Sequence, residues 1–282
     1  CIIHANCQGA EIESLLLASR HFSETFRIER YTNYTQERIP AESLAECGLF
    51  LYQHIGPQWG ELSSASLLAR LSPLAAWLQI PNMLFTAYWP FWANRGPMNE
   101  FNDKLLNRLI DEGLPKEAVI RQYLSQKAIK PDDIASSLER SIAIERTKEE
   151  SALVKTVDFV LERWKTKPMF HTINHPCEDL LVHAAQGILA GIGMPRLAKP
   201  ELESLHAKGP FPSYTDFNLP IHPYVASFNS LKFIGPGQKF MIFGRGMTFE
   251  QYVGHYIDCR HEGREKDFSA YLQEYELMTG TC

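Results

Sequence analysis

The stretch Cys1-Ile2-Ile3-His4-Ala5-Asn6-Cys7-Gln8-Gly9-Ala10 decides the fold class. Its first five residues are short and largely apolar, the pattern of a strand. From residue 8 to residue 20 the positions Ile12, Leu15, Leu16 and Ser19 recur at helical spacing. The strand therefore passes straight into a helix through small residues. Further along, residues 26–31 alternate, with Phe26 and Ile28 against Arg27 and Glu29, and read as a second strand. Residues 48–55 form a third strand that ends at Gly56-Pro57. Residues 63–71 are helical, and residues 82–86 read as a fourth strand. Strands that alternate with helices predict a parallel sheet. The expected fold is one α/β domain over all 282 residues, built on a small parallel sheet.

After the sheet the pattern changes. Residues 99–111 carry Phe101, Leu105, Leu106 and Leu109 on one helical face. Pro131, followed by Asp132 and Asp133, suits the start of another helix, which could reach Trp164 with a break near Thr147. Residues 98–167 are thus expected as a large helical insertion. Residues 168–172 look like a strand returning to the sheet, and residues 178–189 like a helix. Residues 194–223 are rich in Pro and Gly and read as irregular. Helices are expected at 248–259, with Thr248 as N-cap and Gln251 three residues on, and at 266–278. Gly187, Gly191 and Gly193 lack a phosphate-loop spacing and read as packing and helix-end glycines.

Composition narrows the function classes. Hydrophobic residues make up 45% and charged residues 22%, which excludes disordered and fibrous chains. The net charge is −5 and no basic stripe stands out, which argues against nucleic acid as a partner. The greasiest stretch, residues 71–92, is divided by Pro73, Pro81 and Pro90, so no membrane span is expected. The six cysteines are scattered over a long chain and read as reduced thiols. A cytoplasmic protein is expected.

Cys7 stands where the first strand ends and the first helix begins. A nucleophile there would emerge at the carboxyl edge of the sheet, with Gly9 and Ala10 as the small neighbours a sharp turn requires. The N–H groups of the helix start would lower its pKa and bind an oxyanion. The competing reading is a structural cysteine buried in a tight turn. The run His171-Thr172-Ile173-Asn174-His175-Pro176 also lies between a strand and a helix. His175 could serve as general base, with Asn174 or His171 orienting it or donating to substrate. The competing reading is histidines that cap the next helix. Two aromatic-rich segments, one around Tyr52, Gln53 and His54 and one around Tyr88, Trp89, Phe91 and Trp92, follow the third and fourth strands and could wall a cleft for a sugar or a base. Core packing is the commoner fate of such rings. Cys1, His4 and Cys7 are spaced three apart, which on a strand points alternate members to opposite faces, so no metal is expected.

Together, Asn6-Cys7-Gln8, Gln53, Tyr88-Trp89-Pro90 and the run from Thr172 to Pro176 resemble the WcbI-type family of capsular polysaccharide biosynthesis acetyltransferases. That family is similar to the SGNH/GDSL acyl esterases but carries an Asn-Cys-Gln motif. The resemblance implies an SGNH-like fold, coenzyme A or acetyl-CoA as donor, and a sugar hydroxyl of a surface polysaccharide as acceptor. It implies Cys7 and His175 as catalytic residues. Asn6, Gln8, Gln53, Asn174, His171, Tyr88 and Trp89 would line the oxyanion and substrate site. Arg95 is a candidate for the CoA phosphates only as a basic residue near a loop. Thr172 stands where the esterases have an acid, so a Cys–His dyad is expected in place of a triad. The alternatives are an SGNH-like esterase, with water as acceptor, and a non-catalytic glycan or nucleotide binder.

Overall fold

The computed structural model describes residues 1–279. The chain forms two compact units. The first comprises Cys1–Leu84, Ala143–Arg163 and Asn174–Tyr214. The second comprises Phe85–Ile142, Trp164–Ile173 and Thr215–Cys282. The segment expected as one helical insertion is thus shared between them.

The first unit holds a four-stranded parallel sheet: β1 (Ile2–Ala5), β2 (Glu29–Thr32), β3 (Leu49–Tyr52) and β4 (Ala76–Gln79), in the order β2-β1-β3-β4. The two central strands are buried throughout, which is why they read as apolar runs, interrupted only by the buried His4. Between the four strands in sequence lie α1 (Gln8–Ala18), α2 (Arg20–Thr25), α3 (Ala41–Glu46) and α4 (Ser64–Leu68). Ile2, Phe50 and Tyr52 pack on one side of the sheet with Leu44 of α3 and Leu67 of α4. On the other side α1 crosses β1 so closely that a Cβ at Gly9 would stand 3.0 Å from Ala5 Cβ. That approach needs glycine at position 9 and a small residue at position 5.

Three expectations are corrected here. The fourth strand is Ala76–Gln79, not residues 82–86. Pro81 ends it, and Met83 bonds its N–H and C=O to a side chain instead of to a ladder. Residues 168–172 contain a strand, Phe170–Thr172, but it is not part of the parallel sheet. The free edge of β4 is covered instead by residues 151–153: Leu153 N–H donates to Gln79 O at 2.8 Å, and Gln79 Nε2 donates to Ser151 Oγ. The helix from Pro131 breaks after Glu149, close to the expected break near Thr147, and resumes as Val157–Leu161. The buried Glu149 carboxylate accepts from Thr156 N–H and Val157 N–H at 2.8 and 3.0 Å, so it caps the second helix from the end of the first. The Pro-rich 194–223 stretch contains a helix, Lys199–His206, whose Glu201 side chain accepts from the N–H groups of Ala198 and Arg20.

Helix Glu178–Gly191 packs against α1. A Cβ at Gly187 would meet Val154 at 2.4 Å and one at Gly191 would meet Leu153 at 2.5 Å, so both glycines serve close packing as read. In the second unit, helices Lys104–Asp111, Lys116–Leu124 and Phe249–His261 surround an aromatic core. Thr248 and Gln251 form the expected reciprocal cap. The helix expected at 266–278 runs Phe268–Thr279. Among the described residues no helix is long and apolar enough to cross a membrane. Cys1, Cys7, Cys47, Cys177 and Cys259 are free thiols, and Cys282 lies outside the described residues.

Candidate active site

The sheet order places a topological switch at β1. The chain leaves β1 toward β2 and then returns across it to β3. Ligands of open α/β sheets bind at the carboxyl ends of strands at such a point. Asn6, Cys7 and Gln8 leave β1 here, Gln53 leaves β3, and residues 80–83 leave β4.

Amides lock these loops together. Asn6 N–H donates to Gln53 Oε1 at 2.9 Å, and Gln53 Nε2 donates to Gln8 Oε1 at 3.1 Å and Pro81 O at 3.0 Å. Gln8 Nε2 donates to Met83 O at 2.7 Å and Asn174 O at 2.8 Å, while Gln8 Oε1 also accepts from Met83 N–H. The Gln8 side chain thereby makes all four hydrogen bonds of which a glutamine amide is capable, fully out of solvent. Asn6 Oδ1 accepts from Gln8 N–H, the open donor at the start of α1, and Asn6 Nδ2 donates to Asn82 Oδ1. Beneath this frame Lys148 Nζ donates to Asn82 O at 2.6 Å and pairs with Glu145, whose carboxylate accepts from Leu84 N–H. Burial pushes the Glu145 carboxyl up and the Lys148 ammonium down, against their mutual attraction.

Cys7 sits at the centre of this frame, half-buried at the head of α1. Asn174 Nδ2 lies 3.8 Å from its sulfur, within reach of a weak N–H···S bond. The thiol pKa is raised, not lowered as the helix start alone predicts. Burial is the largest cause, the Glu11 carboxylate adds to it, and the N–H groups of Gln8 and Cys7 offset only part. At rest Cys7 is a protonated thiol.

His175 follows Asn174, and its ring stacks on Tyr214 with centroids 4.4 Å apart. Tyr214 O–H donates to Pro176 O. Burial, then the nearby Glu11 and Cys7, push that phenol far above its ordinary range. Glu11, 3% exposed on α1, accepts through Oε1 from both the N–H and the hydroxyl of Ser213 and so anchors the segment that carries Tyr214. The sequence reading missed Glu11, Tyr214 and the Glu145–Lys148 pair. A glutamate among the apolar positions of α1, one turn past Cys7, was the only signal for any of them.

The remaining expected site residues are placed as follows. Gln8 and Gln53 are buried and spend their amides on the loops. Tyr88 and Trp89 belong to the aromatic core of the second unit: Tyr88 O–H donates to Trp164 O, and Trp89 Nε1–H to Leu219 O. Both are core rings there, as the commoner reading had it. His171, also in the second unit, bonds Asn218 Oδ1 through Nδ1 at 2.5 Å, and burial lowers its pKa. Arg95 is exposed on a loop of that unit, where its carbonyl accepts from Asn102 Nδ2.

A doubly wound parallel sheet with an amide-framed cysteine at its switch point defines an α/β protein organised around a sheet-edge thiol. The chain belongs to the family of the polysaccharide biosynthesis enzyme WcbI, which it matches over residues 1–197. It is also similar to a solved structure of WcbI, described as a novel polysaccharide biosynthesis enzyme, in the native form without a disulfide bond between CoA and one of that protein's cysteines. That similarity has a TM-score of 0.74 and 16% identity, and covers 99% of this chain and 95% of the other. At that identity it establishes the fold. No curated protein matches the chain.

Proposed function

We propose that this polysaccharide biosynthesis enzyme is an acyltransferase of SGNH-like architecture. It moves an acyl group, acetyl in the simplest case, from coenzyme A to a sugar hydroxyl of a surface or capsular polysaccharide, with Cys7 and His175 as the reacting side chains. The observation that carries the reading is the half-buried Cys7 thiol at the switch point with the Asn174 amide 3.8 Å from its sulfur. The solved relative, whose description names CoA and one of its cysteines in reporting the native form without a disulfide bond between them, supports CoA as the donor. Cytoplasmic action follows from the need for acyl-CoA.

In this reading His175 takes the Cys7 proton and the sulfur attacks the thioester carbonyl. The carbon–sulfur bond to CoA breaks, and CoA leaves as a thiol once the proton is passed to it. The acyl-Cys7 carbonyl is then attacked by the sugar hydroxyl, whose proton goes to His175 and on to the Cys7 sulfur. The products are the sugar ester, CoA thiol and free Cys7. Main-chain N–H groups at Cys7 and Gln8, with Asn174 Nδ2, stabilise the oxyanion. Asn6 belongs to the substrate side, while Gln8 and Gln53 hold the loops. The raised Cys7 pKa favours a second route, in which Cys7 stays protonated and His175 activates the sugar hydroxyl for direct attack on bound acyl-CoA.

The test is incubation with acetyl-CoA alone, followed by intact mass and peptide mapping. A Cys7-borne acetyl group, absent in Cys7→Ser, establishes the covalent route. Transfer to an acceptor sugar that survives in Cys7→Ser but is lost in His175→Asn establishes the direct one. Hydrolysis of simple acyl esters with no effect of CoA on rate or melting temperature would overturn the reading in favour of an esterase.

A further inference from the structure

The second unit holds two polar groups that its own packing does not use up. Asp103 forms an antiparallel bridge with Trp92 and caps the helix Lys104–Asp111. Its carboxylate accepts from Leu106 N–H through Oδ1 at 2.8 Å and from Tyr123 O–H through Oδ2 at 2.6 Å. A carboxylate offers about four acceptor sites, so it can take further donors. Among the described residues no lysine, arginine or histidine forms an ion pair with it. Burial is the largest cause acting on the group and pushes its pKa up, against the Leu106 N–H and Tyr123 O–H. A carboxylate held out of water without a cation is costly. The second group is Tyr252, on the helix Phe249–His261. It is 6% exposed, and among the described residues its hydroxyl has no hydrogen-bond partner. A buried hydroxyl in that state costs stability until something bonds it.

Asp103 and Tyr252 line the same cavity, of about 40 Å³. That is roughly three times the ~10–15 Å³ that one water requires, room for two or three heavy atoms. Most of the remaining wall is aromatic, with Trp89, Trp92, Tyr123, Phe249 and Tyr256. The other polar groups of the wall are committed. Trp89 and Trp92 donate through Nε1 to Leu219 O and Glu100 O, and Tyr256 O–H donates to Asn107 Oδ1. Asn102 donates to Ala93 O and Arg95 O and accepts from Asn107 Nδ2. What remains for a ligand is an uncompensated carboxylate, a phenol oxygen and a ring of π-faces. That set fits a cation with N–H groups: the N–H bonds go to the oxygens and the charge lies among the rings. The volume is too small for a quaternary ammonium. Of the lining residues, Trp92, Phe101 and Asp103 are half-buried and the rest are buried, so the cavity opens beside Trp92.

We propose that this cavity binds a primary ammonium group, with its N–H groups on the Asp103 carboxylate and the Tyr252 hydroxyl oxygen and its carrier against Trp92 at the mouth. An amino sugar and an aliphatic amine both carry that group. The inference makes no use of Cys7 or of CoA, since every lining residue belongs to the second unit.

Titration of the full chain with ethylammonium, glucosamine, glucose and tetramethylammonium at constant ionic strength tests it, read by tryptophan fluorescence and melting temperature. For three heavy atoms the best attainable Kd of ethylammonium is about millimolar. We expect ethylammonium and glucosamine to bind, and glucose and tetramethylammonium to bind roughly tenfold or more weakly. Glucosamine binding tighter than ethylammonium identifies the amino sugar as the source, and the reverse order identifies the aliphatic amine. Tyr252→Phe removes a hydroxyl that bonds nothing in the described protein, so without ligand it should melt no lower than wild type. It should weaken both amines by roughly ten- to a hundredfold, the usual value of a hydrogen bond to a charged group. Asp103→Asn keeps a capping oxygen and should abolish amine binding. A Tyr252→Phe protein that melts lower and binds both amines as wild type does would show the hydroxyl serving a buried water, and overturns the proposal. Glucose binding as tightly as glucosamine overturns it as well, as does the absence of any response to either amine far above millimolar concentration.

Discussion

Replacing Gln8 by Ala should dismantle the cysteine turn more than any other single truncation at the site. The Gln8 amide holds Met83 through both N–H and C=O, Asn174 through C=O and Gln53 through Nε2, with no solvent access. Four hydrogen bonds at a net ~0.5–1.5 kcal/mol each amount to about 2–6 kcal/mol. The truncation also leaves the buried Met83 N–H, the Met83 and Asn174 carbonyls and Gln53 Nε2 short of a partner. Gln8→Glu is the sharper control. It preserves shape, but a carboxylate oxygen replaces Nε2 and faces the carbonyls of Met83 and Asn174, so it should be no milder than Ala at neutral pH. Urea unfolding at pH 7, followed by tryptophan fluorescence and circular dichroism together, measures the loss. The same samples report the alkylation rate of Cys7, which should rise as Asn174 and residues 82–84 come loose. A Gln8→Ala protein within about 0.5 kcal/mol of wild type, with Cys7 alkylating at the wild-type rate, would refute the view that this amide organises the turn.

Glu11→Ala should cost ~1–3 kcal/mol and expose Cys7 to alkylation by releasing Ser213 and Tyr214, whereas Glu11→Gln keeps the accepting oxygen and should be milder. Urea midpoints and alkylation rates of the two variants decide it. Iodoacetamide should modify Cys7 more slowly than free cysteine at pH 7, with the rate still climbing above pH 9; faster reaction at pH 7 would show that the helix start outweighs burial. His4 and His222 are buried, and desolvation pushes each imidazole down to about 4 from an ordinary 6.5. Between those values the unfolded chain takes up protons that the folded one refuses, so this stability is complete above pH 6.5 and is lost as pH falls toward 4. At ~1.36 kcal/mol per pH unit the loss is at most about 3.4 kcal/mol for each histidine. Neither His4 nitrogen has a hydrogen-bond partner, so His4→Leu should retain stability at pH 7 and flatten the acid slope in urea melts taken from pH 7 to 4. An unchanged slope would remove His4 from the acid response.

Much of the first unit was legible because its central strands obey the simplest rule of a parallel sheet. Residues 2–5 and 49–52 are buried on both faces and therefore appear in the sequence as apolar runs, broken only by His4. The edge strand β4 did not announce itself. Ala76-Trp77-Leu78-Gln79 has no buried residue, with Ala76 and the 54%-exposed Trp77 open on opposite faces, and the more apolar run that follows drew the assignment to residues 82–86. That run is not a strand because its hydrogen bonds are supplied by Gln8, 75 positions earlier, a partnership no local pattern encodes. The same cause explains Glu149: a carboxylate at a helix end reads as surface charge until the two N–H groups it caps, at Thr156 and Val157, are seen beside it.

The site divides along the same line. Asn6, Cys7 and Gln8 were legible because strand, turn and helix are consecutive, and the position alone fixes them at the sheet edge. The protonation state of Cys7 was not, because it is a sum over distant groups. The helix-start N–H groups that sequence position predicts do act on the sulfur, but Gln8 N–H is shared with Asn6 Oδ1, and the Glu11 carboxylate lies close by. Burial then outweighs what those donors contribute. A thiol in that condition requires a base before it can act as a nucleophile. The His175 ring stacks on Tyr214, itself fixed to Pro176 O and anchored through Ser213 to Glu11. The Glu11 carboxylate reaches the site through this neighbouring segment, and its place on α1, four residues from Cys7, couples the position of Tyr214 to the helix that carries the sulfur.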